Sequence, residues 1–348
     1  TLGSIGTGIA LWKGGDGVLI GAVSYGTLVA FVSYTVQFFE PLRELARIMA
    51  ELQNAQASAE RIFSMLDEKI EIDDDDVVKA RFGNIISSGK HGRRERLNGK
   101  ISFRNVSFAY QSGEKVLENF NLDIDAGETI ALVGETGSGK STIVNLACRF
   151  YEPQSGEILI DDHEYRTRSL YWLHSNLGYV LQTPHLFSGT VRDNIAYGNL
   201  NASDSQIRQA AELVNAHEFI MEMDKGYQSE VGEGGNLLST GQKQLISFAR
   251  AVLADPSIFV LDEATSSVDT ETEKLIQDAI HKVLADRTSF IIAHRLSTIR
   301  SADRILVIRN GRITEAGDHH QLLNLKGYYY QLYTNQFLEE RESVLLQA

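Results

Sequence analysis

Residues 134–141 read Gly-Glu-Thr-Gly-Ser-Gly-Lys-Ser. Gly134, Gly137 and Gly139 let the backbone turn its N–H groups inward, where they can cradle phosphate oxygens. Lys140 has the length to reach β- and γ-phosphates, and the Ser141 hydroxyl is a Mg²⁺ ligand type. A second cluster follows an apolar run, Ile258 to Leu261, and consists of Asp262 and Glu263. Many buried strands end in Asp, so this pair is weak alone. Downstream of a phosphate loop it supplies what phosphoryl transfer needs. Asp262 can hold Mg²⁺ directly or through water, and Glu263 can orient and polarise an attacking water. A third cluster, Leu238-Ser239-Thr240-Gly241-Gln242, precedes a predicted helix running to about Ala254. Ser and Gly at a helix start make a second anion-binding end, where the orphan N–H groups and the helix dipole point.

These residues need elements to hold them. From Lys100 onward short apolar runs alternate with helical patterns, which predicts an α/β core. The predicted strands are Ile101–Val106, Thr129–Val133, Glu157–Ile160, Leu177–Leu181, Ile258–Leu261 and Ser289–Ala293. Thr129–Val133 leads into the phosphate loop, and an apolar helix, Ile143–Phe150, leaves it. Arg304–Ile308 and Arg312–Thr314 flank Asn310-Gly311, a strong hairpin signal. Ser203–Ile220 reads as one helix with Ser203 as N-cap.

The first 66 residues read differently. Val18–Phe39 holds no charged residue and is about long enough to cross a bilayer as a helix. Leu2–Trp12 reads as the end of an earlier span, with Lys13–Gly17 as the connecting turn. The opening on Thr1 inside an apolar run reads as a piece of a longer polypeptide, and no signal-peptide pattern is visible. Arg43, Arg47 and Arg61 follow the span while Lys13 precedes it, which places the remainder in the cytoplasm. Pro41–Leu66 reads as a helix with a heptad-like apolar stripe. Residues 67–99 read as a charged linker, with acidic Asp73–Asp76 and basic Arg93, Arg94 and Arg96. Residues 100–337 form the catalytic domain and 338–348 a tail. A formal net charge of -13 over 348 residues argues against a nucleic-acid binder. Cys148, the sole cysteine, allows no internal disulfide and reads as buried packing.

The order phosphate loop, Gln182, Leu238–Gln242, Asp262-Glu263, Ser267-Val-Asp269 and His294 resembles the ATP-binding domain of the ABC transporter superfamily. Leu238–Gln242 resembles its LSGGQ signature, and the likeness covers about Lys100 to Phe337. Val18–Leu66 resembles the sixth transmembrane helix of multidrug- and lipid-type exporters with its cytoplasmic extension. The resemblance implies a RecA-like P-loop core, an antiparallel β subdomain and a helical signature subdomain. It implies ATP and Mg²⁺ as cofactors. Nucleotide contacts would come from Tyr110, which would stack on adenine, from Gly134, Thr136, Gly137, Ser138, Gly139, Lys140, Ser141 and Thr142, and from Gln182 and Asp262. Ser141, Gln182 and Asp262 would hold the metal, and Glu263, His294, Lys140 and Gln182 would serve catalysis. Ser239, Gly241, Gln242 and Asp269 would face the ATP of a second half-transporter, identical or different. Glu230 to Glu233 resembles the loop that touches the membrane domain. The implied setting is a cell-membrane exporter in contact with lipid, its ATP-binding domain in the cytoplasm, moving a substrate whose contacts fall on other spans.

Two departures stand out. Thr240 occupies a position where the family usually has Gly, which predicts altered affinity or rate rather than loss. Thr183-Pro184 follows Gln182 where exporters often carry an acidic residue. Two other classes share part of the pattern. A soluble ABC ATPase acting on DNA or ribosomes has no use for Val18–Phe39, and a small-metabolite P-loop kinase has none for Leu238–Gln242 or His294.

Overall fold

The computed structural model describes residues 2–68, 70–82, 96–110, 113–262, 270–292 and 296–335. The chain falls into two compact units, Thr1–Glu71 and Ile72–Ala348.

The first unit is a pair of helices, α1 (Leu2–Leu19) and α2 (Tyr25–Leu66). This corrects the expected span. Helix α1 runs straight through Lys13–Gly17, and the turn falls inside the apolar run instead, at residues 20–24. Gly21 takes a left-handed φ of 74°, and the Ser24 hydroxyl accepts the Thr27 N–H at 3.2 Å to start a new helix. The apolar residues are thereby divided. Lys13 and Asp16 join one helix, and Glu40, Arg43 and Glu44 follow closely in the other. No helix among the described residues is long and apolar enough to cross a membrane. Helix α2 passes through Pro41 without ending, and its stripe residues Leu42, Leu45, Met49, Leu52, Phe63 and Leu66 are exposed.

The second unit begins within the expected linker. Ile72 to Phe82 belongs to it, and Asp76–Phe82 forms α3. Asp74 is buried there, accepting from Arg149 Nη1 at 3.3 Å and from the Leu170 N–H at 2.9 Å. Residues 83–95 of that segment, and the tail 338–348, lie outside the described residues.

Two sheets make the body of this unit. An antiparallel sheet has the order β2 (Lys115–Ile124), β1 (Ile101–Ala109), β4 (Ser155–Ile160), β5 (His163–Glu164). The second has the order β10 (Arg312–Gly317), β9 (Arg304–Arg309), β3 (Thr129–Val133), β8 (Thr288–Ile292), β7 (Ile258–Asp262), β6 (Leu177–Val180). Strands β9, β3, β8, β7 and β6 run parallel, and β10 turns back antiparallel through the expected Asn310-Gly311 hairpin. Every residue of β3 and β8 is buried, as a parallel sheet covered on both faces requires. Along β3 the side chains alternate between two cores. Ile130 and Leu132 join one with Phe103 and Ile143, while Ala131 and Val133 join the other with Leu245 and Phe248.

The helices are α4 (Lys140–Ala147), α5 (Leu170–His174), α6 (Val191–Ala196), α7 (Asp204–Leu213), α8 (His217–Glu222), α9 (Thr240–Leu253), α10 (Thr270–Leu284), α11 (Leu296–Arg300), α12 (His319–Leu325) and α13 (residues 328–335). The single helix expected over Ser203–Ile220 is broken into α7 and α8 where Asn215 adopts φ 59°. Strand β2 was not anticipated. Its alternation is interrupted at Asn119, which bends at φ 49° and donates its N–H to Ser107 Oγ at 3.0 Å.

Candidate nucleotide site

Four neighbouring parallel strands bring the site residues to one edge of the six-stranded sheet. Val133 ends β3 and opens into the phosphate loop, Val180 ends β6 two residues before Gln182, and Asp262 ends β7. Leu261 pairs with Val180, and Asp262 with Ile292 at the end of β8. Ligands of parallel α/β sheets bind outside the carboxyl ends of the strands. Glu263, Asp269 and His294 follow these strand ends in the chain and lie outside the described residues.

The phosphate loop is held by its own backbone and by the β9–β10 hairpin. Gly134 has φ 152°, and a Cβ there would sit 2.2 Å from the Ile308 carbonyl oxygen. Gly139 has φ 106° and stands at the N-cap of α4 with no side-chain cap. Helices α6, α7, α9 and α12 all begin with a side chain closing the first turn. The start of α4 therefore offers its N–H groups and dipole to an anion. Lys140 is 7% exposed, and its Nζ donates to the carbonyls of Gly134 at 2.8 Å and Glu135 at 2.7 Å. Burial holds its pKa below the usual lysine range, while the negative charge of Asp262 pulls the other way. That influence links the loop to the end of β7. Ser138 is buried, whereas Thr136, Gly137 and Ser141 are exposed.

A diphosphate or triphosphate fits this cradle, because the glycine backbone, the uncapped helix and the lysine all present positive partial charge. A Cβ at Gly134 would displace the loop. A magnesium ion fits less completely. The Ser141 hydroxyl and the Asp262 carboxylate are hard oxygen donors, but the described residues gather no group of three or more His, Cys, Asp or Glu. Phosphate oxygens and water would have to complete its shell.

Other expected residues are placed differently. Tyr110 is half-buried, donating or accepting a 2.9 Å hydrogen bond with Thr142 Oγ1. Its ring packs edge-on against Phe108 and Tyr151, at 5.0 and 5.3 Å between centroids. It is thus tied both to the aromatic cluster and to the first turn of α4. Gln182 is exposed. In the signature, Ser239 Oγ accepts the Gln242 N–H at 3.2 Å, and Gln242 Oε1 accepts the Ser239 N–H at 3.0 Å. This capping box occupies the Gln242 side chain. Ser239 and Thr240 are exposed, and Gly241 is buried. A cavity of about 780 Å³ lies beside Gln182, lined by residues of β6 together with Pro184, Phe187 and Arg250.

Sequence reasoning missed the loop's outer supports. The Gly311 N–H donates to the Ser138 carbonyl at 2.9 Å, and a Cβ on Gly311 would lie 1.8 Å from the Val116 carbonyl oxygen. The Asn310-Gly311 signal was visible, but it told only of a hairpin. Tyr328 donates its hydroxyl to Glu135 Oε1 at 2.6 Å, and nothing local announces that contact.

A phosphate loop between β3 and α4, with an acidic strand end two strands away in the same parallel sheet, defines a P-loop nucleoside triphosphatase domain. Residues 117–266 match the ABC transporter family model. The uncharacterised ABC transporter ATP-binding protein YfiC of Bacillus subtilis (strain 168) is 46% identical over 93% of this chain and 52% of its own length. An ATP-dependent lipid A-core flippase of Syntrophus aciditrophicus (strain SB) is 43% identical over 98% of this chain and 54% of its own length. A bacterial Atm1-family ABC exporter, solved with ATP bound, is 35% identical with a TM-score of 0.69, covering 90% of this chain and 53% of that one. The chain carries an ATPase domain of the ABC transporter type. It spans about half the length of the curated relatives it matches.

Proposed function

We propose that this chain is part of an ABC exporter, in which ATP hydrolysis with Mg²⁺ drives a substrate across the cell membrane. The uncapped start of α4, with Lys140 beside it, is the observation that carries the nucleotide reading. The likeness to exporter and flippase relatives over nearly the whole chain supports the transport reading. Lys140 binds and neutralises the β- and γ-phosphates, leaving the Gly134 and Glu135 carbonyls to do so. Ser141, Asp262 and Gln182 would hold the metal, which would supply charge neutralisation at the phosphates. Glu263 orients the attacking water and accepts its proton, and His294 touches the γ-phosphate. Tyr110 presents an aromatic face to the base.

The signature end of α9 serves a second subunit's nucleotide. Ser239 and Thr240 are exposed there, available to a facing P-loop across a head-to-tail pair. Asp269 would serve the same exchange between the two subunits. Thr240 keeps the backbone N–H groups and adds a hydroxyl, so the site works with altered affinity. The membrane-side loops of the whole protein dock near the cavity beside Gln182 and near Glu230 to Glu233, and the ATP-binding domain works on the cytoplasmic side. A lipid is the substrate class this reading takes up, since one relative is named a lipid A-core flippase.

The test is Glu263→Gln in the full-length protein. ATP binding should persist, and steady-state ATPase turnover should fall by roughly 100-fold or more. Near-normal turnover in that variant, with both subunits altered, would remove Glu263 from the mechanism.

A further inference from the structure

The phosphate loop carries an acidic side chain, Glu135, directly after Gly134. A carboxylate in a loop that must accept a polyanion opposes binding, since like charges repel strongly within a Debye length of about 8 Å at physiological ionic strength. The structure shows where that carboxylate goes. Tyr328, at the start of α13, donates its hydroxyl to Glu135 Oε1 at 2.6 Å. The Arg309 guanidinium lies over the Tyr328 ring, 4.5 Å from its centroid. The Tyr328 backbone is anchored independently: Glu315 of β10 accepts the N–H groups of Tyr328 at 2.5 Å and of Tyr329 at 3.1 Å. Tyr329 is itself 1% exposed in the core. The place of the Tyr328 hydroxyl is therefore set by the fold and not by Glu135. Glu135 faces two ways, its carboxylate turned to α13 and its carbonyl accepting Lys140 Nζ at 2.7 Å.

We propose that Tyr328 is a positioning residue for the nucleotide site: it holds the Glu135 carboxylate out of the path of the bound triphosphate, so that a loop with an acidic residue keeps its affinity. This rests on the nucleotide reading given above. Tyr328 touches no phosphate; it acts through Glu135, and Arg309 steadies its ring through a cation–π contact. Removing the hydroxyl alone frees the carboxylate to swing toward the phosphates, and the penalty grows with ligand charge and shrinks as salt is added.

The experiment measures equilibrium binding of ATP and ADP to the full chain at low and high salt. Four proteins are compared: the unaltered chain, Tyr328→Phe, Glu135→Gln, and the double variant. Tyr328→Phe should weaken ATP binding roughly five- to tenfold at low salt, the net scale of one ordinary hydrogen bond at an exposed site. It should weaken ADP less, and the loss should shrink at high salt. Glu135→Gln should bind ATP at least as tightly as the unaltered chain, and the double variant should return to within about twofold of it. Unchanged affinity in Tyr328→Phe, or an equal loss with Glu135→Gln already in place, would overturn the proposal while leaving the nucleotide site standing. No ATP binding by the unaltered chain would overturn the nucleotide reading and the proposal together.

Discussion

At the scale of single residues, the loop depends on groups far from it in the chain. Gly311 is the clearest case. Its φ of 70° and the carbonyl oxygen of Val116 leave no room for a methyl group, and its N–H supports Ser138. Gly311→Ala should cost about 3 kcal/mol of stability, from left-handed strain plus forced displacement of backbone, measured as a lowered denaturant midpoint with unchanged slope. It should also weaken nucleotide binding, because the displaced hairpin carries the Ser138 contact with it. Asn310→Ala, one position earlier at φ 47°, adds no atom to the site and carries left-handed strain alone, so it should cost less. Equal effects of the two changes would mean that the hairpin supports the loop only loosely. The residues from Gly134 to Ser141 were legible in the sequence because their chemistry is local, resting on backbone freedom and a helix start. Gly311 and Tyr328 were not, because their meaning lies in what the fold puts beside them.

At the scale of elements, the helix starts divide by purpose. Helix α9 closes its own first turn with the Ser239 and Gln242 capping box, and α4 leaves its first turn open behind Gly139. The capping box was hidden in a motif read for anion binding, and both readings use the same N–H groups. Helix α5 is capped by the Ser169 hydroxyl, which accepts the Trp172 N–H at 3.2 Å, and by a second group besides. Its first N–H is accepted by Asp74, which arrives from the segment expected to be a solvated linker. The same carboxylate pairs with Arg149, which is itself 3% exposed and also bonded to Glu152 at 2.8 Å. Asp74→Ala should destabilise the ATPase unit by roughly 2–3 kcal/mol, because it strips one partner from a buried guanidinium and uncovers a helix N–H. The denaturant midpoint of the full chain reports this. A change below about 0.5 kcal/mol would show the segment to be held by α3 packing alone. A charge run such as Asp73–Asp76 looks like a solvated face in sequence, since nothing local tells which of its carboxylates meets a buried arginine.

At the scale of the whole molecule, the C-terminal helices close over the sheet through a neutral histidine. His319 is buried, with Nδ1 and the Tyr329 hydroxyl 2.8 Å apart. Burial, with the positive charges of Arg300 and His320, holds its pKa below 6.5 against the opposing pull of Asp318. His174, beside the Cys148 carbonyl at 3.0 Å, is depressed in the same direction, chiefly by burial. A histidine with a lowered folded pKa contributes fully above its unfolded value and loses that contribution as pH falls through the folded one. The melting temperature should therefore hold above about pH 6.5 and fall below it. In His319→Gln the acid limb should flatten in part, with His174 accounting for a remainder, and an unchanged limb would exclude His319 as a source.

The sequence by itself determined the parts whose physics is short-ranged. These are the strand, loop and helix around Lys140, the Asn310-Gly311 hairpin, the α9 start and the apolar strands of the parallel sheet. Each follows from periodicity, glycine placement or capping within a few neighbouring residues. Tertiary structure decided the rest. It placed the break in the N-terminal apolar run at residues 20–24, where a left-handed glycine and a capping serine outweigh hydropathy. It folded Lys115–Ile124 into the antiparallel sheet and buried Asp74 against Arg149. It also brought Gly311 and Tyr328 to a loop far away in the chain. Such contacts depend on where independently formed elements pack, and side chains distant in sequence carry no local mark of the neighbours they will meet.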